Sequence, residues 1–354
     1  MSCIGVLYQS AEHNNPNPDN NVIVDLQTNY WKLPKKHWGY NRFLDFGVLI
    51  YEAKDINSFL FYLPFKVKED AVSDLGEALT HDNLLSVLFN EPYQVSSNPN
   101  FPSYYYVSSL INENKKPNFW LYSLSKANFK VRPLSKGTLV EVMIKNKPSV
   151  VDGIQNTEDK KDNYNLYFRF RISHLGENSL GYIESVSNDF FQSVFSRTEM
   201  INLHINIIGE IEENDFKEIA SKYSFVNFNK IHFFFVGSSK EEAISGMNNY
   251  TDIRLLDSVL WSRYVGDYNP QSRKCLAYHW KLLGPRENGN IFFRTVYSSA
   301  DLIKVLKYSI LIILFGMAAS YAASYIPTWS KQNAVIEKTN ISHEIQDDNT
   351  KTIP

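Results

Sequence analysis

The chain has 354 residues, of which 44% are hydrophobic and 21% charged, and its formal net charge is −2. This length and composition are sufficient for one large folded domain or two of ordinary size. The nearly balanced charge excludes a general electrostatic attraction to nucleic acid, so a nucleic-acid partner would need a local contact site. The cysteines Cys3 and Cys275 are too few for a disulfide framework, which is typical of a reducing compartment.

Apolar runs rich in the 23 phenylalanines and 22 tyrosines predict an α+β fold with mainly antiparallel, aromatic-rich sheets and a few helices. One further helix near the carboxyl end is predicted to cross a membrane. The expected organisation is an N-terminal α+β lobe (1–147), a linker or surface loop (148–163), a second α+β lobe (164–297), a transmembrane helix (298–327) and a disordered tail (328–354).

The first half contains strand-like runs and one helical pattern, which in chain order are Cys3–Tyr8, Val22–Leu26, Phe46–Tyr51, Phe59–Val67, a broken helix over Val72–Phe89, Tyr104–Leu110, Phe119–Leu124, Phe129–Val131 and Thr138–Ile144. We expect Phe46–Tyr51 and Phe59–Val67 to pair as a hairpin with a longer loop. The Asn29–Phe43 segment contains Pro34 and Gly39 and is predicted to be a loop in which cations lie among aromatic residues.

The second half opens with a strand, Tyr164–Ile172, in which apolar residues alternate with Tyr167, Arg169 and Arg171. This period of two predicts a half-buried strand whose two arginines share a polar face. The remaining predicted elements are a helix at Asp189–Phe195, a strand at Ile201–Ile208, a helix at Glu212–Tyr223, a strand at Ile231–Val236, a helix at Asp252–Tyr264, and strands at Leu276–Leu283 and Ile291–Tyr297.

The uncharged run from Tyr308 to Ile326 predicts the membrane span. As a helix it is roughly 28 Å long, close to the hydrocarbon thickness of a bilayer. Ser298 and Ser299 are expected to cap its start, while Tyr325 and Trp329 supply aromatic side chains at the far interface. We therefore expect a bilayer partner and a long cytoplasmic N-terminal part, since the sequence opens without a secretory signal.

Small residues recur along one side of this helix. Ser309, Gly316, Ser320, Ala323 and Ser324 fall near one another at 100° per residue, and Gly316, Ser320 and Ser324 form a small-xxx-small series. Such a series lets two helices approach closely in lipid. We predict self-association through this face, and the alternative is a lone anchor.

The sharpest catalytic candidate is the Glu52-Ala53-Lys54 motif with Asp45 upstream. Metal-dependent nucleases of the PD-(D/E)xK kind place a Glu and a Lys on one strand, where the carboxylate holds a metal and the lysine steadies the phosphate. A spacing of seven residues between the two carboxylates is short for that family, and no proline precedes Asp45. The alternative interpretation is the solvated end of a hairpin.

Two groups of residues are candidates for binding an anionic ligand. Arg169 and Arg171 can clamp a phosphate as a guanidinium pair, unless they simply face solvent. Lys35, Lys36 and Trp38 combine cations with an aromatic face, as single-stranded nucleic acids and membrane surfaces require. The alternative is that the tryptophans of this segment cover the core.

No metal site or cofactor is predicted, because the histidines are scattered without an HExxH or HxH spacing and no phosphate-binding glycine motif occurs. The expected function is a single-pass sensor or effector that binds an unknown protein or small molecule and has no active site of its own. Its architecture resembles bacterial antiviral defence proteins of the inner membrane. The alternatives are a membrane-tethered nuclease or phosphodiesterase using Asp45, Glu52 and Lys54, and a non-catalytic scaffold.

Overall fold

The computed structural model describes residues 2–10, 22–35, 39–53, 56–111, 118–145, 164–184, 196–245, 250–266, 274–298 and 305–324. The chain divides into one compact unit of residues 1–186 and 197–298, and a second unit of residues 187–196 and 299–354.

Most described residues of the first unit belong to two sheets. The first sheet contains β1 (Ser2–Ser10), β4 (Ile56–Leu63), β9 (Phe129–Pro133), β10 (Thr138–Met143), β12 (Gly181–Glu184), β13 (Ser196–Ile205), β14 (Ser224–Phe225), β16 (Glu242–Ser245) and β19 (Gly289–Ser298). The second sheet contains β2 (Ile23–Pro34), β3 (Tyr40–Ile50), β5 (Val72–Asp74), β6 (Tyr93–Ser97), β7 (Tyr104–Ser109), β8 (Phe119–Tyr122), β11 (Leu166–Ile172), β15 (Asn227–Ser238), β17 (Asp252–Leu256) and β18 (Cys275–Arg286).

The strand order is β16-β19-β13-β1-β4-β10-β9 in the first sheet, where β12 also pairs with β13 and β14 with β1. It is β17-β18-β15-β2-β3-β11-β8-β7-β6 in the second sheet, where β5 pairs with β11. Parallel pairing occurs between β1 and β13, β2 and β15, and β8 and β11, and antiparallel pairs predominate among the described strands. The predicted α+β class with mainly antiparallel sheets is confirmed.

Each sheet combines strands from both halves of the sequence. β1 and β2 pair with β13 and β15 from the second half, and β3 pairs with β11. The segments 1–147 and 164–297, expected to form two lobes, therefore build one compact unit together. The intervening segment 148–163 lies outside the described residues.

The two sheets pack face to face around an aromatic core. Phe61 of the first sheet lies 4.9 Å from both Phe46 and Phe170 of the second, measured between ring centroids. Phe59 contacts Phe168 in the same way at 5.7 Å. Such tilted and edge-to-face pairs add about 0.5–1.5 kcal/mol each to the energy of apolar burial. Aromatic rings from both sheets thus form much of the contact between them.

Helices cover the outer faces of both sheets. They are α1 (Gly76–Leu79), α2 (Leu84–Phe89), α3 (Glu213–Ala220) and α4 (Ser258–Val265). Ile219 of α3 packs on the first sheet against Leu60 and Leu139. The other three helices pack on the second sheet, where Trp261 of α4 contacts Trp31 with ring centroids 5.8 Å apart. Both faces of the central strands are therefore buried.

Two expectations about the first half are wrong. The runs around β3 and β4 do not form a hairpin, because β3 belongs to the second sheet and β4 to the first. The chain crosses between the sheets after Ile50, and both runs are buried, so their sequences look alike. The predicted loop Asn29–Phe43 is instead largely a hairpin, in which β2 extends to Pro34 and pairs with β3 from Tyr40.

Two predicted helices are shorter than expected. Val72–Phe89 divides into strand β5 and the short helices α1 and α2. Asp252–Tyr264 begins with the edge strand β17, and Asp257 then caps α4 by accepting from the backbone N–H groups of Val259 and Leu260. The helix predicted at Glu212–Tyr223 is present as α3. The helix predicted at Asp189–Phe195 lies outside the described residues.

The second unit contains one described helix, α5 (Val305–Ser324), which by length and composition is able to span a membrane. Its apolar side chains are exposed, with Phe315 68% and Ile312 67% accessible. The hydroxyls of Ser309 and Ser324 donate to the carbonyls of Val305 and Tyr321, so neither needs a partner outside the helix.

The expected helix start is wrong at its first residue. Ser298 is the last residue of β19 and not a helix cap. The other expected boundary residues, Ser299, Tyr325 and Trp329, lie outside the described residues.

Candidate functional site

A cleft of about 440 Å³ opens on the outer face of the second sheet. Its floor is formed by β17, β18, β15, β2 and β3, and one wall is formed by the end of α2 at Leu88, Phe89 and Asn90. The strand alternation that buries Tyr278 and Trp280 in the sandwich turns Ala277, His279 and Lys281 outward into this cleft.

Strand register aligns a row of polar side chains across the cleft floor. Lys281 pairs with His232, His232 with Gln27, Gln27 with Gly47, and Gly47 with Arg169. Neighbouring side chains in such a row lie about 4.5–5.5 Å apart at Cβ. One row thus connects an exposed lysine at the cleft to an arginine that is fully buried beside it.

The missing side chain at Gly47 lets Arg169 reach over β3 to Gln27. A Cβ atom at this position would lie 2.6 Å from Nη1 of Arg169 and closer still to the hydroxyl of Tyr167. In the space that glycine leaves, Arg169 Nη1 donates to Gln27 Oε1 at 3.2 Å, and the Tyr167 hydroxyl donates to the same atom at 2.9 Å. The orientation of the Gln27 amide is therefore set by two donors.

Asp45 is the centre of an adjoining buried network beneath α4. Its carboxylate accepts from Arg171 Nε at 2.7 Å and Nη2 at 3.0 Å, from Trp31 Nε1 at 2.8 Å and from the Tyr264 hydroxyl at 2.8 Å. Tyr264 in turn accepts from Arg169 Nε at 2.6 Å. Burial raises the pKa of Tyr264 well above the usual range, so it stays a neutral phenol that joins the two arginines to one carboxylate.

Two histidines face each other on the cleft floor. His232 Nδ1 and His279 Nε2 are 3.0 Å apart, and the His279 ring stacks on Phe234 with centroids 4.2 Å apart. Burial lowers the pKa of His279 to about 4, and the positive charges of Arg254 and Lys281 add to this effect. His279 is therefore neutral near pH 7, and the pair shares one hydrogen bond.

Asp25, two residues before Gln27 on β2, organises the neighbouring part of the cleft floor. Its carboxylate accepts from the Tyr51 hydroxyl at 2.9 Å and from Asn229 Nδ2 at 2.8 Å, and Lys230 Nζ lies 3.6 Å away. Burial and the Asp25 charge both raise the pKa of Tyr51, which remains a hydrogen-bond donor. The negative charge of Asp25 is thus already engaged by the protein.

The structure places the two carboxylates of the predicted nuclease site in different environments. Asp45 is fully buried and its four hydrogen bonds are structural, whereas Glu52 is exposed just beyond the end of β3 with a positive φ of 60°. Lys54 lies outside the described residues. Among the residues that the structure describes, no three His, Cys, Asp or Glu side chains are grouped to hold a metal ion.

The predicted ligand-binding residues have different positions from those expected. Arg169 and Arg171 are buried in the Asp45 network and do not face solvent, because α4 covers this part of the sheet. Lys35 is exposed where β2 ends, and Lys36 and Trp38 lie outside the described residues.

The cations of the same hairpin lie between the two sheets. Lys32 Nζ is 2.8 Å from Glu199 and 3.5 Å from Glu241, and Arg42 Nη2 is 3.7 Å from Glu199. Lys32 and Glu199 have no exposed side-chain surface. These charges connect the two sheets and do not form a basic surface.

Sequence reasoning missed Gln27 and the pairing of His232 with His279. Gln27 lies one residue beyond the predicted strand Val22–Leu26, and its importance arises from Tyr167 and Arg169, about 140 residues away along the chain. His232 stands among the apolar residues Ile231–Val236 and was an available signal for a polar group on one face of β15, but its partner strand was not identifiable.

Comparison of the sequence with models of protein families finds no match, and comparison with curated proteins finds no similar sequence.

Proposed function

We propose that this protein is a membrane-anchored sensor or effector whose first unit binds a small polar ligand in the cleft of the second sheet. The observation that carries the proposal is the cleft itself. It is preformed, it has a mixed polar and aromatic lining, and its volume of about 440 Å³ falls in the range usual for small-molecule sites.

The fixed orientation of the polar groups supports a binding role. Gln27 is held by Arg169 and Tyr167, and Asp25 is held by Tyr51 and Asn229. Side chains whose rotamers are locked before binding lose little entropy when a ligand arrives. The cleft therefore has the preorganisation that a selective receptor requires.

The anchor in this proposal is α5, an exposed apolar helix of 20 residues. In the anchored protein, its Gly316 and Ser320 face packs against a second copy in the bilayer. A Cβ atom at Gly316 would meet none of the described residues within 4 Å, which is consistent with close approach of a second helix on this face.

The binding role is tested with the full chain in detergent micelles. The purified protein is incubated with a cell extract of small molecules, separated from unbound material and analysed by mass spectrometry. Asp252→Trp narrows the cleft at its exposed rim, and Lys222→Trp is a matched control on an exposed residue that does not line the cleft. We expect retention of a compound by the wild type and Lys222→Trp and its loss in Asp252→Trp. Equal profiles in all three, or no retained compound, would refute the cleft as a receptor site.

The anchor is tested by sedimentation of lysed cells. We expect the chain in the membrane pellet, with release by detergent but not by alkaline carbonate. In the pellet, cross-linked dimer should decrease for Gly316→Leu and be retained for Ala318→Leu, a matched change on the other side of the helix. A chain that stays in the supernatant contradicts the anchor, and equal dimer in both variants contradicts packing through Gly316.

We place the protein in the bacterial inner membrane with its first unit in the cytoplasm, and we propose a role in defence against phage. The architecture of a receptor unit joined to one membrane helix supports this role. A phage-plating assay tests it: expression should lower plating efficiency, and Asp252→Trp should restore it. Unchanged plating across a phage panel would exclude the defence role and leave ligand binding as a separate question.

A further inference from the structure

We infer that the cleft binds a small organic molecule through an anionic oxygen group, phosphate or carboxylate, held by Gln27 and Lys281. This inference rests on the proposed receptor function and names the chemical class of its ligand. It follows from donors that have no partner among the described residues, from the balance of charge around them, and from the aromatic wall beside them.

Gln27 presents amide N–H donors to the cleft. It is only 7% exposed and lines the cleft, and both hydrogen bonds that it receives go to Oε1. Because Arg169 and Tyr167 hold Oε1, the amide nitrogen is fixed on the other side of the group. This nitrogen donates to none of the described residues. The nitrogen is not fully enclosed and faces the open cleft, so an acceptor on a ligand can reach it and pair with it.

The charge near Gln27 favours an acceptor that is negative. Within the described part of the chain, Asp45 supplies the one carboxylate of this buried network, so one of the two charges of Arg169 and Arg171 is not compensated there. Nη2 of Arg169 has no hydrogen-bond partner among the described residues. In a poorly solvated site, this charge raises the potential at the adjacent Gln27 amide.

The cleft side of the same row adds further positive charge. Lys281 lies two residues along β18 from His279, and it forms no hydrogen bond or ion pair within the described part of the chain. Arg254 lines the cleft in a half-buried position and is equally without such a bond there. Asp252 also lines the cleft and offsets one of these positive charges, whereas Asp25 is already close to Lys230. The unengaged groups therefore attract an anion.

The walls indicate that the rest of the ligand has an apolar or aromatic part. Phe89, Tyr93 and Phe234 line the cleft, and the Phe234 ring stacks on His279. A ring placed beside them would be contacted on its faces or edges. A molecule with one ring and one anionic oxygen group fits this cleft, because its ring would contact the aromatic wall and its anionic group the polar floor.

Three probes of similar shape test the inference, using calorimetric titration of the full chain in detergent micelles. Phenyl phosphate is anionic, benzoate carries a single negative charge, and benzamide is its neutral isostere. We expect affinity to decrease in that order. Equal or tighter binding of benzamide than of benzoate overturns the inference and leaves the receptor function intact, because a ligand would still occupy the cleft.

Two variants test whether the anion binds at Gln27 and Lys281. Gln27→Glu keeps the size of the side chain and still accepts from Arg169 and Tyr167, so the melting temperature of the protein should not fall. Its negative charge should repel phenyl phosphate and weaken the binding of this probe at least about tenfold. Lys281→Met should weaken the binding of phenyl phosphate about two- to fivefold, as expected for the loss of an exposed charge. Lys274→Met, a matched change on an exposed lysine outside the cleft, should have no effect.

Unchanged phenyl phosphate binding in Gln27→Glu, or no saturable binding of either anion to the wild type, refutes the inference. Micelles doped with phosphatidylglycerol or phosphatidylcholine distinguish a free ligand from a lipid headgroup. Competition by phosphatidylglycerol alone would overturn the assignment of a small free molecule. No competition by either lipid supports it. If the extract experiment described above also retains no compound, the receptor function itself fails, and that result is independent of these titrations.

Discussion

Replacing Asp45 by asparagine distinguishes a structural from a catalytic carboxylate. The substitution preserves shape and removes one negative charge from a site with no exposed surface. In the wild type this carboxylate accepts four hydrogen bonds, two of them from Arg171. In the variant, the amide cannot neutralise either arginine, and its NH₂ group meets donors where the protein needs acceptors.

The expected loss of stability is large. Breaking a buried ion pair by removing one partner costs about 3–5 kcal/mol, because the remaining charge stays buried without compensation. For a domain of 150–250 residues, 1 kcal/mol corresponds to about 2–4 °C in melting temperature. Asp45→Asn should therefore lower the melting temperature by roughly 6–20 °C. Arg171→Met in the same chain should recover part of this loss, because it removes one of the two buried positive charges.

The assay is thermal unfolding of the full chain in micelles, followed by intrinsic fluorescence. Glu52→Gln is the control, since Glu52 is the other carboxylate of the predicted nuclease site and is exposed. It should melt within about 2 °C of the wild type, as surface substitutions usually do. An Asp45→Asn protein with wild-type stability would refute the structural role, and loss of a metal-dependent nuclease activity at that stability would restore the catalytic interpretation.

Three further predictions concern buried groups. Lys32→Met should destabilise the first unit by about 3–5 kcal/mol in denaturant unfolding, and adding Glu199→Gln should recover much of the loss, because the two side chains are 2.8 Å apart without exposed surface. Gly47→Ala should cost about 1–3 kcal/mol in the same assay, since its Cβ would displace Arg169 and Tyr167. Finally, the free energy of unfolding should fall as the pH is lowered from about 6.5 to about 4. Across this range the imidazole of His279 binds a proton in the unfolded chain but stays neutral in the folded chain, where its pKa is about 4. His279→Phe should make this fall shallower.

Each of these predictions has a result that contradicts it. Additive losses in the Lys32 and Glu199 double variant would show that the two charges do not interact. A Gly47→Ala protein as stable as the wild type would mean that the row across the cleft floor has room for a side chain. An identical pH profile in His279→Phe would remove His279 as a source of the acid sensitivity.

Local sequence pattern determined the elements whose signal is contained within a short segment. The helix Val305–Ser324, which overlaps the uncharged run from Tyr308 to Ile326, was predictable because a long apolar helix needs no distant partner to satisfy its backbone. The helix Glu213–Ala220 and the strands around Ile231 and Ile291 likewise follow from periodicity and apolar content alone. The α+β class and its aromatic sheets were predictable for the same reason.

The tertiary structure alone decided which strands are neighbours and what their polar residues do. Arg169 and Arg171 alternate with apolar residues as they would on a solvated strand, yet α4 covers them and Asp45 binds one of them. Gln27 gains its role from Tyr167, on a strand that enters the same sheet much later in the sequence. A period of two specifies that two faces differ, but burial and hydrogen bonding of each face depend on elements far away in the chain. For this protein, the sequence therefore predicted a helix able to span a membrane and the class of fold, and the packing of the second sheet created the cleft.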